Sequence, residues 1–276
     1  MVQPVANIPA KRFSRWRVYL QVWSKLAEYA LAEMFINRWT NLLFLSGKVI
    51  RFGMLLFFLL FIKGSIQSFA GYTADQVVVF FLTYQFLDTL AQVFYRGVHT
   101  FSWQVRTGEL DFYLSKPMHP LFRILTGKPD FVDVGFFIPT TLLSVYIIRD
   151  YFFAASPIQL LWYVVLLING FFIATAFHIL ILSLGVITTE VNNAVMLYRD
   201  MNTMARFPVT MYQEPLRTIL LFAVPVGIMN TIPAQVLLGT SPSIYLVGSM
   251  GVGLLFLFSS VKIWNWSITR YTGAGG

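Results

Sequence analysis

The residues of this chain that could take part in chemistry are concentrated in one polar segment between two long apolar stretches. This segment, residues 102–130, carries both signs of charge: Arg106, Lys116, Arg123, Lys128, Glu109, Asp111 and Asp130. Hydrolysis of ATP needs a glycine-rich phosphate loop that ends in lysine, GxxxxGK[ST]. Gly127 and Lys128 lack the upstream glycine and are followed by proline. If ATP drives this protein, another chain must bind it.

Other catalytic patterns are also missing from the sequence. It contains neither a GxSxG nucleophile elbow nor an HExxH metal pair. His99, His119 and His178 are scattered, which is more typical of hydrogen-bonded or interfacial histidine than of metal ligands. Glu190 and Asp200 would lie about 15 Å apart along one helix, too far to share a site. A membrane-embedded enzyme is therefore disfavoured.

Composition places the chain in a membrane. Hydrophobic residues make up 57% of the 276 positions and charged residues only 12%, unlike a soluble globular domain. A helix needs about 20 apolar residues to cross the hydrocarbon, and several windows reach that length. The sequence thus predicts a single-domain, all-α polytopic membrane protein. Because the chain has no cysteine, it can form no disulfide, thiol nucleophile or cysteine metal site.

The basic residues predict an orientation. A formal charge of +8 would suggest nucleic acid in a soluble chain, but the lysines and arginines concentrate in the N-terminal segment and in residues 102–130. Membrane topology explains them better, so no nucleic-acid partner is expected and both regions are placed in the cytoplasm. The N- and C-termini are then cytoplasmic. The N-terminal residues lack an apolar core followed by a small-residue cleavage site, so no cleaved signal peptide is expected.

Hydropathy, periodicity and capping residues predict the elements. Residues 1–12 form a cytoplasmic tail, residues 13–37 an amphipathic helix that lies in the interface, and residues 41–266 a bundle of six spans. The interfacial helix has an apolar face of Trp16, Leu20, Trp23, Ala27, Leu31 and Met34. The five clearer spans are residues 41–62, 73–97, 131–148, 156–184 and 243–266. Thr73 with Gln76 is a possible capping box for the second of these.

Residues 186–238 allow two topologies. Hydropathy alone makes residues 186–216 a cytoplasmic loop and residues 217–238 a span. The alternative makes residues 184–206 a polar fifth span and residues 208–239 an outer, re-entrant segment of short helices covered by protein. Both leave six spans. Pro225 and Pro233, which each remove a backbone donor, favour the second topology.

Two groups of charged residues fall inside predicted spans. Lys48 and Arg51 lie three residues apart on one face of the first span, where a cation must snorkel to the head groups, pair or face a polar cavity. Pairing with Asp88 is conceivable, although Lys48 lies low in the first span and Asp88 near the middle of the second. In the fifth segment Glu190, Asn193 and Asp200 share one stripe, and Arg199 lies on the neighbouring one. Such a helix faces a partner subunit or an aqueous path, or else it is an interfacial helix.

The polar segment itself has a mechanical interpretation. Arg106-Thr107-Gly108-Glu109 can turn the chain out of the second span, and Lys116-Pro117 can end a short helix. Leu110, Tyr113 and Leu114 would give that helix an apolar edge to press into a partner's groove. The alternative is an ordinary solvated loop, and spacing alone does not decide between the two.

Three stretches give the chain a family resemblance. They are Asn37-Arg38-Trp39-Thr40-Asn41, then Val105-Arg106-Thr107-Gly108-Glu109-Leu110-Asp111 with Leu114 and Lys116-Pro117, and finally Phe207-Pro208, Tyr212, Leu216-Arg217, Pro225, Ile232-Pro233 and Leu238-Gly239. On these residues the chain resembles the six-span permease subunits of the ABC-2 superfamily. The resemblance implies a type V exporter-like permease fold with an interfacial N-terminal helix. It also favours the polar fifth span.

The resemblance further implies a coupling helix that docks on a separate ATPase, which binds the ATP and magnesium. The coupling residues would be Arg106, Gly108, Glu109, Leu110, Asp111, Leu114, Lys116 and Pro117. The translocation path or subunit interface would use Lys48, Arg51, Asp88, Glu190, Asn193, Arg199 and Asp200.

The expected protein is therefore a permease subunit of an ATP-driven exporter in a bacterial inner membrane. Two permease chains, identical or paralogous, would assemble in lipid with two ABC ATPase subunits. The alternative is a passive channel or an integral membrane scaffold without an ATPase. The substrate stays open.

Overall fold

A computed structural model of the chain describes residues 15–62, 71–188, 191–241 and 243–273. The predicted tail at residues 1–12 and Glu190 lie outside these described residues. Within them the α-helices, in chain order, are α1 (Arg15–Ile36), α2 (Arg38–Ile62), α3 (Ala74–Tyr95), α4 (Phe101–Arg106), α5 (Glu109–Leu114), α6 (Pro120–Thr126), α7 (Phe131–Ile147), α8 (Arg149–Ala154), α9 (Pro157–Thr188), α10 (Asn192–Met204), α11 (Leu216–Thr218), α12 (Val226–Leu237) and α13 (Ser243–Ile268).

Four of the described helices are long and apolar enough to cross a membrane: Arg38–Phe61, Ala74–Arg106, Pro157–Thr188 and Tyr245–Ile268. Two bent pairs raise the number of spans to as many as six. These are α6 with α7, bent by 64°, and Leu216–Ala223 with α12, bent by 91°. The predicted all-α polytopic membrane fold is thereby confirmed.

The two ends of the bundle can be told apart by their contacts, and we name them by the predicted orientation. The outer end holds Thr73, which forms the predicted capping box with Gln76 at the start of α3, and Ser156, whose hydroxyl accepts from the Gln159 backbone N–H at 3.3 Å. The inner end holds α4, α5 and α6. Helix α3 reaches it through a 3-10 turn, Arg96–Thr100, that leads directly into α4.

Helix α3 is the centre of the bundle. In its most apolar stretch 72% of the residues are buried, against only 17% in α2 and 17% in α13. Helices α2 and α13 therefore present wide apolar faces to lipid or to another chain. The long helix α9 lies beside α13 and runs in the same direction, since Asn169 donates to the Ser249 carbonyl and Phe177 packs on Phe256 further along.

Helix α1 packs part of its predicted apolar face on the protein. Its half-buried side chains are Tyr19, Val22, Trp23, Leu26, Ala27, Ala30 and Met34, which repeat every three or four residues. Trp16, Leu20 and Leu31 of the predicted face are exposed, as is expected where an interfacial helix meets lipid. The interfacial position of α1 stays a prediction.

The stretch predicted as one polar helix, residues 184–206, is divided in the structure. Helix α9 continues to Thr188, and α10 begins only at Asn192. The Val191 backbone N–H donates to the Ser102 hydroxyl of α4 at 3.0 Å instead of to a helical carbonyl. From this inner position α10 runs toward the outer end, where the Thr210 hydroxyl lies 3.5 Å from the Tyr72 hydroxyl.

Residues 208–239 enter and leave the bundle at the same end. Thr210, near the beginning of the segment, and Gln235, near its end, both hydrogen-bond the Tyr72 hydroxyl, at 3.5 and 2.9 Å. Between them α12 starts at depth, where its Met229 carbonyl approaches Gly170 of α9 so closely that a Cβ at Gly170 would lie 2.7 Å from it. The 91° bend before α12 makes this segment either a broken span or a re-entrant pair of helices. The contacts of both its ends with Tyr72 favour the re-entrant alternative, and the choice between the two topologies stays a prediction.

Candidate functional site

The segment from α4 to α6 forms the inner surface of the bundle. A turn at Thr107 and Gly108 separates α4 from α5, and Gly108 has φ +78°, in the left-handed region. Glycine adopts this conformation without the steric cost that a Cβ adds. The sequence thus turns the chain sharply after α3 and α4, and it lays α5 across the end of the bundle.

Leu110 faces the chain's own core, which contradicts its predicted role in a docking edge. Its side chain is 0% exposed, and Tyr113 and Leu114 are half-buried against the same core. The reason is the short turn at Gly108, which presses this apolar face of α5 onto the bundle. The three residues anchor α5 to its own chain and leave little apolar surface for a partner.

The exposed apolar residues of the inner surface are Phe112 and Trp103, at 57% and 59% exposure. Sequence reasoning missed both. A signal was available for Phe112: two residues after Leu110 on a helix, it points about 200° away, to the opposite face. The Lys116 ammonium lies 4.0 Å from the centre of the Phe112 ring, so the exposed face combines an aromatic ring with a cation.

The predicted polar coupling residues surround this ring. Arg106, Asp111, Lys116 and Pro117 are exposed. Glu109 accepts a hydrogen bond from the Tyr113 hydroxyl at 3.1 Å. Burial raises the pKa of Tyr113, which keeps the hydroxyl protonated and able to donate.

Helix α1 is fastened to this inner segment, a connection that the sequence did not predict. The Tyr19 hydroxyl accepts from the His119 backbone N–H at 2.9 Å, and the Tyr19 ring packs edge-on against Phe122 at 4.9 Å. Lys128 and Glu33 form an ion pair at 3.0 Å. A displacement of α6 would therefore be transmitted to α1.

A second polar centre lies among the long helices. The Lys48 ammonium of α2 forms an ion pair with Asp133 of α7, and the Asp133 side chain is 0% exposed. The same ammonium donates to the side-chain amide oxygen of Gln92, on α3, at 2.9 Å. The Gln92 amide in turn donates to Asp88 at 2.7 Å. Lys48 thus reaches Asp88 only through Gln92, and its direct partner is an acid that the sequence analysis did not select. The sequence did contain a signal for Asp133, because it is a carboxylate in the first turn of the otherwise apolar helix α7.

The same chain of hydrogen bonds continues into the polar fifth helix. The Asn202 amide of α10 donates to Asp88 at 2.9 Å, and the Asn230 amide of α12 donates to Asn202 at 3.3 Å. Five helices, α7, α2, α3, α10 and α12, are therefore joined by one run of side-chain hydrogen bonds. In an apolar surrounding each polar side chain that lost its partner would cost free energy. The run of hydrogen bonds therefore restricts how the five helices can pack against one another.

Four of the predicted path residues line one cavity beside this network. The cavity has a volume of about 820 Å³, and Lys48, Arg51, Asp88 and Arg199 lie in its wall. Arg96 and Lys128 line it nearer the inner end, with Phe44 and Tyr198 among its apolar walls. Asn193 and Asp200 are not in the wall but lie exposed elsewhere on α10. The structure therefore places four of the predicted path residues at a cavity and two, Asn193 and Asp200, on an exposed part of α10.

The cations of this cavity differ in how they are neutralised. Lys48 pairs with Asp133, Arg96 with Asp130 at 3.3 Å, and Lys128 with Glu33. Arg51 and Arg199 form no ion pair within 4.0 Å among the described residues, although both act electrostatically on Asp88. Among the described residues of the wall, Asp88 is the one acid facing five cations.

Comparison with known proteins gives one family match. A family model described as "ABC-2 family transporter protein" matches residues 49–275, which include the inner segment and twelve of the seventeen residues of the cavity wall, though not Lys48. Comparisons with curated proteins and with solved structures found no match.

Proposed function

Because the chain belongs to the ABC-2 transporter family, we propose that it is the membrane pathway of an exporter driven by a separate ABC ATPase subunit. The family makes the chain a permease component of an ABC transporter, and membership implies an ABC ATPase partner in general. Export as the direction, a bacterial inner membrane as the location and a pair of permease chains as the assembly are parts of the proposal.

The observation that carries the proposal is the form of the inner segment. Helices α4, α5 and α6 make a short, well-anchored platform that exposes Phe112, Trp103 and several charged side chains at the end of the bundle. An exposed aromatic ring surrounded by charged residues is typical of a protein-docking surface. The predicted orientation places this surface in the cytoplasm, where ATP is available.

The platform is also connected to the membrane interior in a way that supports coupling. Helix α4 continues from α3 through one 3-10 turn, and α3 holds both Asp88 and Gln92. A push on α4 or α5 would therefore act on the hydrogen-bonded run that joins α2, α7, α10 and α12. Closure of the ATPases on ATP would bias this bundle between two arrangements, which is coupling through a two-state element.

The exposed face of α10 supports a second permease chain. Asp200 is exposed on α10 away from the cavity wall, although α10 is tied into the bundle by the hydrogen bond from Asn202 to Asp88. A charged side chain facing hydrocarbon costs a few kcal/mol, so this face requires a cover other than lipid. A second permease chain, identical or paralogous, would supply it, with one ATPase docked beneath each permease.

Copurification tests the proposal. The tagged chain is expressed together with candidate ABC ATPase subunits from its source organism, extracted in mild detergent and reconstituted in nanodiscs. We expect the two proteins to elute as one complex that hydrolyses ATP and is inhibited by vanadate. A passive channel or scaffold would elute without the ATPase, and that result would reject the proposed function.

A further inference from the structure

The cavity between α2, α3 and α10 has the charge of an anion-binding site. Of its cationic wall residues, Arg51 and Arg199 are left without an ion pair among the described residues, while the single wall acid, Asp88, is already held by Gln92 and Asn202. Asp88 carries one negative charge, so it can balance only one of these two arginines. A guanidinium at membrane depth without a counter-ion is costly, so an additional negative group is the natural complement.

The cations are arranged in depth along the cavity. Lys128 and Arg96 lie at the inner end, while Lys48 and Arg51 lie about 10 and about 15 Å along α2 from Asn41, the start of the predicted first span, at the helical rise of 1.5 Å per residue. The inner half of a bilayer's hydrocarbon is about 15 Å thick. The cavity therefore offers cations from the inner head-group level to about the middle of the membrane.

Its remaining wall residues include both apolar side chains and the polar residues Thr40, Gln92, His99, Thr100 and His178. Leu43, Phe44, Ala91, Val195 and Tyr198 line the same space, and Leu43 and Phe44 are themselves exposed. A volume of about 820 Å³ is within the range of small-molecule sites. The site thus suits a molecule that carries an anionic group on an apolar body.

We propose that the cavity binds an amphipathic anion, with a phosphate, sulfate or carboxylate group held by Arg51 and Arg199. Arginine suits this task because its planar guanidinium donates two parallel hydrogen bonds to such groups. This assignment rests on the proposed function in that it gives the transported substrate its chemical class. The anionic group can belong to a membrane lipid or to a soluble amphiphile, since both present the same chemistry.

Photolabelling tests the binding site directly. The full chain in phosphatidylcholine nanodiscs is labelled with a diazirine-bearing alkyl phosphate, and the labelled peptides are mapped by mass spectrometry. We expect labels on α2 and α10, and competition by decyl phosphate. Decyltrimethylammonium, decyl maltoside and inorganic phosphate should compete poorly, since each lacks either the negative charge or the apolar body.

Variants then distinguish binding by Arg51 and Arg199 from nonspecific attraction of the anion to a positively charged protein. Arg51→Gln and Arg199→Gln should each weaken competition by decyl phosphate about tenfold or more, as expected for a lost charged hydrogen bond. Arg51→Lys keeps the charge but loses the two parallel hydrogen bonds, so its binding should lie between that of the parent chain and that of Arg51→Gln. The matched control is Arg217→Gln, which removes an exposed arginine beyond the cavity and should change nothing. Equal labelling in the glutamine variants, or stronger competition by the cationic amphiphile, would overturn the assignment.

Two further experiments are needed. One identifies the source of the anion, and the other distinguishes failure of the ligand assignment from failure of the proposed function. If phosphatidylglycerol in the nanodisc displaces the probe, the ligand is a lipid head group; if only decyl phosphate does so, it is a soluble amphiphile. The labelling needs no ATPase. Site-specific labelling of a chain that fails to copurify with an ATPase would reject the proposed function alone, and a functional complex without such labelling would reject the ligand class alone.

Discussion

The Asn202 amide nitrogen of α10 donates to the Asp88 carboxylate of α3 over 2.9 Å, and so the most polar helix is tied to the most buried one. Helices in lipid gain little from the hydrophobic effect, so side-chain hydrogen bonds and close packing must hold them together. Helix α10 illustrates this, since its sequence is too polar to be held by apolar packing alone. Asp88 also accepts a hydrogen bond from the Gln92 amide, and Gln92 in turn binds Lys48 of α2. The two Asp88 oxygens therefore link α10 on one side and, through Gln92, α2 on the other.

Removal of this contact should loosen α10. Asn202→Leu leaves the Asp88 Oδ1 atom without its donor, while the Asn230 amide keeps its hydrogen bond to the Val226 carbonyl. Loss of a buried hydrogen-bond partner costs about 1–3 kcal/mol. We expect a lower midpoint of thermal unfolding in detergent and a lower ATPase activity of the assembled complex. Asn192→Leu is the matched control, because Asn192 is exposed at the start of the same helix. An unchanged midpoint in Asn202→Leu would contradict the role given to this contact.

The Lys48 and Asp133 pair should behave as a unit. Lys48→Met leaves a buried carboxylate unpaired, and breaking a buried ion pair in this way costs about 3–5 kcal/mol. The double variant Lys48→Met with Asp133→Leu removes both charges, so it should recover most of the lost stability. The measurement is the unfolding midpoint of the two variants in the same detergent. If the double variant is no more stable than Lys48→Met, the two residues do not act as a pair.

The sequence predicts the fold class well because the membrane restricts it strongly. The thickness of the hydrocarbon demands long apolar helices, so α2, α3, α9 and α13 are evident from hydropathy. The start of α10 is different. No proline precedes Asn192 to mark it, and the Ser102 hydroxyl that accepts from the Val191 N–H comes from a distant part of the chain. Such a boundary depends on tertiary contact and escapes local sequence rules.

The candidate functional residues also divide into those that the sequence predicts and those that depend on tertiary contacts. Lys48, Arg51, Asp88 and Arg199 are predictable because charge inside a span is costly and needs a reason. Their partners are not predictable, since the adjacency of α2 and α7 is a property of the packed bundle. On α5 the apolar residues Leu110, Phe112, Tyr113 and Leu114 occupy both faces. Only the folded chain decides that Leu110 is inside and Phe112 outside.

Docking of the ATPase should depend on Phe112. Phe112→Glu places a charge in the centre of the exposed aromatic face and should abolish copurification of the ATPase while the permease still inserts and unfolds at its normal midpoint. Phe153→Glu is the matched control, since Phe153 is also an exposed phenylalanine but lies on α8 after the outer end of α7. Retention of the ATPase by the Phe112→Glu chain would show that the docking surface lies elsewhere.

Leu110 should instead affect stability. It is fully buried, and truncation of a buried leucine to alanine costs about 2–5 kcal/mol. We expect Leu110→Ala to lower the unfolding midpoint of the isolated permease, whereas Phe112→Ala leaves that midpoint nearly unchanged. Both are measured by thermal unfolding without the ATPase. The opposite order of the two variants would mean that the faces of α5 are reversed.

The position of residues 208–239 can be tested with single cysteines, because the chain has none of its own. Thr210 and Gln235 share the Tyr72 hydroxyl, so Gln213, which is exposed between them, should lie at the same membrane surface as the start of α3. We expect Gln213→Cys and Ala154→Cys to react with a membrane-impermeant maleimide in intact cells. Thr107→Cys, in the turn between α4 and α5, should react only after the membrane is opened. Labelling of Gln213→Cys only in opened membranes would place this segment in the cytoplasm, and it would remove the basis for treating α10 as a helix that connects the two surfaces.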